Sequence, residues 1–200
     1  LPIDTLRDAR LPALDGLFIG GGFPEAFMAP LEANGALRAA IRTAIANGLP
    51  TYAECGGLMY LARSIRWNDR RAQMVGAIDA DVVMRERPVG RGYVRLAETA
   101  DHPWPKLDGA LDEPCLGHEF HHSELIDADA SLRCAYSVQR GHGIDGRRDG
   151  VIVNNLLASY AHLRGTGGNA WPQRFVAFVR QRRAGRVQRP LDVAPPAIAA

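Results

Sequence analysis

The sequence predicts an α/β fold with an open, mostly parallel sheet flanked by helices. Three neighbouring segments carry this prediction: a buried strand that ends at a run of glycines, an amphipathic helix, and a second apolar strand that leads into Cys55. A strand, a helix and a strand in succession form a βαβ unit, in which the two strands are parallel. The carboxyl ends of such strands share one edge of the sheet, and open α/β sheets bind their ligands at that edge.

The first strand and the helix are defined by apolar patterning and by residues that end each element. The strand is predicted at Asp15–Gly20 and stops at Gly20–Gly22. Backbone N–H groups of a glycine turn can face a ligand, but the same pattern also fits an ordinary turn after a strand. The helix is predicted over Ala36–Asn47, where Asn34 caps the N-terminus and Gly48 marks the end.

The second strand leads into Cys55, which Gly56 and Gly57 follow directly, before a helical periodicity over residues 58–65. This order is typical of a nucleophile elbow, which lifts a reactive side chain clear of the sheet while glycines permit a strained backbone. The start of a helix also favours thiolate over thiol. A buried structural cysteine fits the same residues, so this segment alone leaves the role of Cys55 open.

The rest of the chain predicts further short strands, two loops and one more helix. The strands are Val82–Met84, Gly92–Leu96, Leu132–Val138, Val151–Val153 and Leu156–Tyr160. Proline-rich Asp101–Pro114 indicates a loop, and glycine-rich Gly141–Gly150 indicates the tip of a hairpin. The pattern at residues 66–78 is weak, and Arg174–Arg183 indicates the last helix.

Bulk properties place these elements in one domain at residues 1–185, followed by a flexible Pro- and Ala-rich tail at 186–200. A chain of 200 residues with 46% hydrophobic content can bury a sizeable core. Its net charge of +2 gives no electrostatic reason to expect nucleic acid or a membrane surface as a partner. Lys106 is the single lysine and lies in a proline-rich segment, which excludes a Walker-type ATP loop from this chain.

Cysteine usage indicates a reducing cytoplasm. The chain has three cysteines, widely spaced and without a Cys-x-x-Cys pair, which argues against a disulfide framework and a thiolate zinc site. A membrane-spanning helix would need about 18 consecutive apolar residues, and the sequence contains no such stretch and no recognisable signal peptide. Because the chain starts at Leu1 and soon enters a strand, we expect an upstream part to be missing.

A cysteine nucleophile needs a base, and histidine suits this because its pKa lies near neutrality. Of the six histidines, His162 follows the strand at Leu156–Tyr160 and would emerge at the same edge of the sheet as Cys55. On this geometry it is favoured over the histidines at 118–122, which stay open as the other candidates for the base.

Residues His118–His122 match H-E-x-x-H, the signature of zinc proteases. That motif works on a helix, where positions four apart share a face. Here the segment 116–123 lacks a continuous apolar stripe and fits extended structure better, with two alternating sets of side chains. A zinc hydrolase that uses His118 and His122 is therefore a secondary alternative.

Four segments in order resemble the cobyrinic/hydrogenobyrinic acid a,c-diamide synthases. They are Gly20–Glu25, Tyr52–Tyr60, Gly117–Glu124 and Ala158–His162. The resemblance is to the C-terminal class I (triad-type) glutamine amidotransferase domain of that family and covers most of residues 15–180. It implies a flavodoxin-like fold of three layers.

The resemblance also implies a reaction. Cys55 would attack the side-chain amide of glutamine and form a glutamyl thioester, with His162 as general base and then acid. Backbone N–H groups of Gly21 or Gly22, and of Gly56, would bind glutamine and hold the oxyanion.

Ammonia would then pass to an N-terminal synthetase domain, absent from this chain, that uses ATP and Mg²⁺ to activate carboxylates a and c of a corrinoid, cobyrinic or hydrogenobyrinic acid. The resemblance implies no cofactor and no metal in the glutaminase domain itself. His118, Glu119 and His121 are candidates for contacts with the substrate or with the other domain.

Two positions depart from the family pattern. Arg164 stands where many class I amidotransferases have the glutamate that orients the histidine, so the sequence leaves the third member of the triad unidentified. His122 stands where a tyrosine is expected, which we expect to alter substrate contacts more than chemistry. The alternatives are a nickel-sirohydrochlorin a,c-diamide synthase, a cobyric acid synthase-type amidotransferase, and a non-catalytic module with the same fold.

Overall fold

The computed structural model describes residues 1–107, 113–129, 131–165 and 170–187. For residues 186 and 187 it describes the backbone alone. Its helices are α1 (Met28–Ala33), α2 (Gly35–Ala46), α3 (Gly56–Leu61) and α4 (Trp171–Val187). Its strands are β1 (Leu17–Ile19), β2 (Thr51–Glu54), β3 (Ser64–Trp67), β4 (Arg70–Gln73), β5 (Asp81–Met84), β6 (Gly90–Glu98), β7 (Cys115–His121), β8 (Ser123–Ile126), β9 (Cys134–Arg140), β10 (Arg148–Val153), β11 (Leu156–Ser159) and β12 (His162–Leu163).

The main sheet has the order β1-β2-β11-β10-β9-β6-β7-β12. Strand β2 pairs in parallel with β1 and β11, and the remaining pairs of this sheet are antiparallel. The α/β architecture is as predicted, but the expectation of mostly parallel strands is wrong. Parallel pairing needs a long crossover, which α2 supplies between β1 and β2, whereas the short turn between β10 and β11 allows only a hairpin.

Helix α2 forms where its pattern predicts it. The Asn34 side chain accepts a hydrogen bond from the Leu37 amide at 3.4 Å, as expected of an N-cap. Leu37, Ile41 and Ile45 are buried along one face. Gly48, with φ of +81°, follows the helix, a backbone conformation that glycine adopts without strain.

The sheet lies between two apolar layers, because adjacent side chains of a strand point to opposite faces. In β2, Tyr52 packs in one core with Phe175 and Phe178 of α4, while Ala53 packs in the other with the buried face of α2. Helices therefore cover both faces of the sheet, as a three-layer fold requires. The predicted boundary between residues 185 and 186 falls inside α4, and residues 188–200 of the predicted tail lie outside the described part of the chain.

A second sheet, in the order β4-β3-β5-β8, was not predicted. The helical periodicity after Cys55 ends early: α3 stops at Leu61, and Ala62 is already extended with ψ of 174°. Ser64 then begins β3 and donates a hydrogen bond to buried Asp81 at 2.7 Å. Arginine side chains on β3 and β4 also contact Asp81, which explains why this strand pair carries little apolar signal.

The segment around the H-E-x-x-H match is extended. Along β7 the side chains alternate between buried and exposed, starting with buried Cys115. The predicted hairpin tip at Gly141–Gly150 joins antiparallel β9 and β10. None of the helices in the described ranges has the length and apolar character that crossing a bilayer requires.

Candidate active site

Cys55 lies on a sharp turn between β2 and α3, as the elbow pattern predicts. Its φ of 48° and ψ of −105° are a combination that residues with a side chain rarely adopt. Two backbone hydrogen bonds hold this conformation: the Cys55 amide donates to the Ser159 carbonyl at 2.7 Å, and its carbonyl accepts from the Met59 amide at 3.1 Å. The surrounding structure thus fixes the strained elbow.

The glycine turn after β1 packs directly against this elbow. A Cβ atom at Gly56 would lie 2.2 Å from the Gly22 carbonyl oxygen, far inside van der Waals contact. A Cβ atom at Gly21 would lie 2.4 Å from Cε1 of the His162 ring. Gly21, Gly22 and Gly56 are therefore brought together with both Cys55 and His162. The close approach leaves no room for a side chain at Gly21 or Gly56, whereas the space beside Gly22 is open.

A buried carboxylate sets the turn that carries the chain from β11 to His162. Asp149 accepts hydrogen bonds from the Ser159 hydroxyl at 2.6 Å and from the amides of Tyr160 and Ala161, each at 3.0 Å. Burial raises the pKa of Asp149, against the effect of these hydrogen bonds. The turn is thereby anchored in the core, and His162 leaves it at the same edge of the sheet as Cys55.

His162 contacts the nucleophile and a carboxylate. The ring interacts with the Cys55 thiol, and this interaction is the largest cause of its raised pKa, while the thiol also donates to the Phe120 carbonyl at 3.9 Å. Nδ1 of the ring lies 3.3 Å from Oε2 of Glu54. Since Nδ1 faces Glu54, Nε2 is the nitrogen left for the thiol. These hydrogen bonds to Cys55 and to Glu54 raise the pKa of His162 to about 10, despite the partial burial of the ring.

Glu54 is itself held in place. Its Oε1 accepts from the Tyr52 hydroxyl at 2.6 Å and from the Leu163 amide at 3.1 Å, and its side chain is 9% exposed. Glu54 therefore occupies the position of a residue that orients the histidine, directly before the nucleophile in the chain. Glu54 is hydrogen-bonded to His162, and His162 interacts in turn with the Cys55 thiol.

The sequence interpretation missed Glu54, although a signal was present. Every residue of β2 is buried, and a carboxylate at the end of such a strand must find a partner or lose its charge. The position two residues after His162, where an orienting glutamate was expected, holds Arg164 instead. In the structure Arg164 lies over the Tyr93 ring, with its Cζ 5.0 Å from the ring centroid.

The other histidine cluster divides between two faces of β7. His118 lies opposite His162 in the strand pairing, and the two rings stack at 4.8 Å. Partial burial and the neighbouring His162 lower the pKa of His118. The two candidates for the base are therefore neighbours, and His162 is the one hydrogen-bonded to Cys55.

Glu119 and His121 point to the buried face. Glu119 accepts from the amides of His142 and Gly143 at 2.7 and 2.8 Å, so it braces the β9–β10 hairpin rather than the active site. His121 stacks on Tyr160, with ring centroids 3.9 Å apart, and lines the cavity that contains Cys55.

That cavity has a volume of about 260 Å³ and opens beside the nucleophile. The residues that line it include Gly22, Cys55, Glu25, His121 and His122. A small amide that enters here meets the Cys55 thiol and, at Gly22, the backbone of the glycine turn. This combination suits nucleophilic attack on an acyl carbon.

The residues of the H-E-x-x-H match do not form the geometry of a zinc site. On β7, His118 stacks against His162, whereas His122 lies beyond the strand with Nδ1 3.3 Å from the Arg85 carbonyl. Among the residues described in the structure, no group of three or more His, Cys, Asp or Glu side chains is placed to hold a metal ion. The three cysteines are unpaired thiols.

Over residues 1–169 the sequence matches the family of CobB/CobQ-like glutamine amidotransferase domains. Two proteins named cobyrinate a,c-diamide synthase, from Magnetococcus marinus and Methanosarcina acetivorans, are 42% and 38% identical over 91% and 92% of this chain. The chain spans only 38% and 39% of the lengths of these two relatives.

Solved structures show the same fold at low identity. A putative GMP synthase protein from Thermoplasma acidophilum superposes with a TM-score of 0.60 at 17% identity, covering 93% of this chain and 83% of that one. A glutamine amidotransferase structure gives 0.52 at 16% identity, covering 86% and 77%. The predicted class I glutamine amidotransferase fold is thus confirmed, and the chain belongs to the family of CobB/CobQ-like glutamine amidotransferase domains.

Proposed function

We propose that this chain hydrolyses glutamine through a thioester on Cys55 and releases ammonia for an amidation reaction. The observation that carries the proposal is the position of His162, which is hydrogen-bonded to Glu54 and interacts with the Cys55 thiol, beside a glycine turn. Family membership supports it, because the chain belongs to the CobB/CobQ-like glutamine amidotransferase domains. The non-catalytic alternative is disfavoured, since a degenerate domain would have no reason to keep this strained and connected arrangement.

The reaction proceeds in two halves. The Cys55 sulfur attacks Cδ of glutamine after its proton has passed to His162 Nε2, whose raised pKa favours the imidazolium form, and the carbonyl oxygen becomes an oxyanion. Backbone N–H groups of Gly56 and of Gly21 or Gly22 stabilise that charge, an effect worth about 3 kcal/mol per donor. His162 then gives its proton to the leaving nitrogen, which departs as ammonia and leaves a glutamyl thioester.

Water completes the cycle. His162 takes a proton from a water molecule as the oxygen attacks the thioester carbonyl, and glutamate leaves as the Cys55 sulfur recovers a proton. Throughout both halves Glu54 keeps the ring oriented and stabilises the imidazolium form. No cofactor participates in these steps.

We propose that the ammonia serves the full-length protein's amidation of carboxylates a and c of cobyrinic or hydrogenobyrinic acid. The relatives of this chain carry the name cobyrinate a,c-diamide synthase, and more than half of their length lies outside the matched region. In this proposal residues 1–185 are the glutaminase domain, and an N-terminal synthetase domain binds ATP, Mg²⁺ and the corrinoid. The three free thiols favour the cytoplasm as the place of action.

The substrate assignment can be tested with the full-length protein, ATP, Mg²⁺ and glutamine. With cobyrinic or hydrogenobyrinic acid we expect two successive amidations, seen by mass spectrometry, and none when glutamine and ammonia are both omitted. Nickel-sirohydrochlorin, offered as the matched control, should remain unmodified. Amidation of nickel-sirohydrochlorin in preference to the corrinoid would indicate a nickel-sirohydrochlorin a,c-diamide synthase. A single amidation at a carboxylate other than a or c would contradict both assignments.

A further inference from the structure

The glycine turn is followed by Glu25, whose carboxylate has no role in the proposed mechanism. Residues Pro24–Phe27 form a 3-10 turn, and Glu25 lies within it. Its side chain lines the same cavity of about 260 Å³ as Cys55. Glu25 and the nucleophile therefore line one and the same cavity.

One oxygen of this carboxylate lacks a partner. The carboxyl group accepts a hydrogen bond from the Glu25 backbone amide. Its Oε2, however, is buried and makes no hydrogen bond to any residue in the described ranges. Burial raises the pKa of Glu25, against the effects of the backbone hydrogen bond and of nearby His122. A buried carboxylate oxygen without a donor is costly, so the position calls for a ligand that donates a hydrogen bond, most favourably a cation.

Glutamine supplies such a group at the end opposite to its reactive amide. When the amide carbon lies at Cys55, the α-carbon with its ammonium group must occupy another part of the same cavity. We propose that Glu25 Oε2 binds the α-ammonium group of glutamine and thereby makes the site specific for an α-amino acid amide. This inference rests on the proposed glutaminase function and adds a specificity residue to it.

Other charged groups at the cavity fit this task less well. Glu86 is exposed, so water screens its charge. The Arg85 guanidinium donates to Glu124 at 2.7 and 2.9 Å and is of the wrong sign for an ammonium group. His122 lies near Glu25 but faces the Arg85 carbonyl with its Nδ1.

The test compares two amides in the full-length protein: glutamine and glutaramate, which is glutamine without its α-amino group. We expect Glu25→Gln to lower kcat/KM for glutamine about 10- to 100-fold, as loss of a charge-assisted hydrogen bond predicts. The value for glutaramate should fall much less, so the preference for glutamine should collapse. This ratio does not depend on the fraction of protein that is folded, and the matched control Glu86→Gln should keep the wild-type ratio.

The other possible results of the comparison between glutamine and glutaramate would contradict the proposed role of Glu25 in different ways. An equal fall for both amides, which leaves their ratio unchanged, would show that Glu25 supports the fold or the chemistry and not the binding of the ammonium group. Wild-type kcat/KM values for both amides would show that Glu25 has no part in the site. A loss of preference in Glu86→Gln alone would assign the role to that carboxylate. A wild-type protein that hydrolyses neither amide would overturn the glutaminase function itself, whereas failure of this inference leaves glutamine hydrolysis intact.

Discussion

Replacing Cys55 by alanine is expected to remove glutamine-dependent activity, by at least about 10⁴-fold in kcat. The reason is that no thioester can form without the sulfur, and the elbow offers no other nucleophile. The fold should persist, because an alanine at this position keeps the backbone hydrogen bonds to Ser159 and from Met59. The measurement is ammonia release from glutamine by the purified full-length protein, wild type against Cys55→Ala.

The same variant separates the two proposed halves of the protein. With ammonium salt in place of glutamine, Cys55→Ala should amidate its acceptor as the wild type does. The matched control is Cys134→Ala, since Cys134 is equally buried but distant from the cavity, and it should keep glutamine-dependent activity. Glutamine hydrolysis that survives in Cys55→Ala would contradict the mechanism, and loss of the ammonia-supported reaction would contradict the division of labour.

Replacing Glu54 by glutamine is expected to lower kcat about 10²- to 10⁴-fold while leaving the protein folded. The amide is isosteric with the carboxylate, but it can present an N–H instead of an acceptor and then stabilises the wrong tautomer of His162. It also no longer stabilises the imidazolium form. Arg164→Ala serves as the control: if the position two residues after His162 does not orient the ring, this variant should keep wild-type kcat.

The pKa of His162 determines how the stability of the protein depends on pH, and Glu54→Gln should shift that pKa. Hydrogen bonds to Cys55 and then to Glu54 raise the pKa of His162 to about 10, so Glu54→Gln should lower it. The folded-state pKa lies above the unfolded value of about 6.5. The stability contributed by protonation of His162 is therefore fully present below the unfolded-state pKa and is lost as pH rises through about 10. In the variant the loss should occur at lower pH.

Imidazole NMR titration of wild type and Glu54→Gln measures this shift directly. Tyr52→Phe, which keeps the carboxylate but removes one donor to it, should produce a smaller change in both kcat and pKa. A Glu54→Gln variant with wild-type kcat and an unshifted His162 would show that this carboxylate is a structural group and not part of the catalytic chain.

Patterns in the sequence predicted those features of the structure that depend on residues close together in the chain. Cys55 with its two glycines specified the elbow because a side chain at Gly56 or Gly57 would collide with the backbone of Gly22 or Ile19. The cap at Asn34 and the spacing of apolar residues in α2 depend on neighbours within one turn. The alternation around His118 depends only on the two-residue repeat of a strand, which is why the extended form of β7 was predicted against its zinc-protease motif.

Features that depend on distant partners were not predicted. The role of Glu54 requires Tyr52 and Leu163 to meet it, and the second of these is more than a hundred positions away in the chain. The second sheet is stabilised at Asp81 by charged and polar side chains, so hydrophobic periodicity predicted its strand β5 but carried little signal for β3 and β4. Strand direction in the main sheet follows from connections between elements, which a single strand pattern does not contain.

The central claim is that Cys55 is a thiol activated toward glutamine, and one labelling experiment tests it most directly. The full-length protein is treated with 6-diazo-5-oxo-L-norleucine, an electrophilic glutamine analogue, and the modified residues are located by peptide mass spectrometry. Cys115 and Cys134 serve as internal controls, because burial raises their pKa values to about 12 and about 11.

We predict one adduct per chain, on Cys55, whose formation glutamine slows by competition. Cys115 and Cys134 should stay unmodified under the same conditions. An unlabelled Cys55, or equal labelling of all three thiols without protection by glutamine, would contradict the claim.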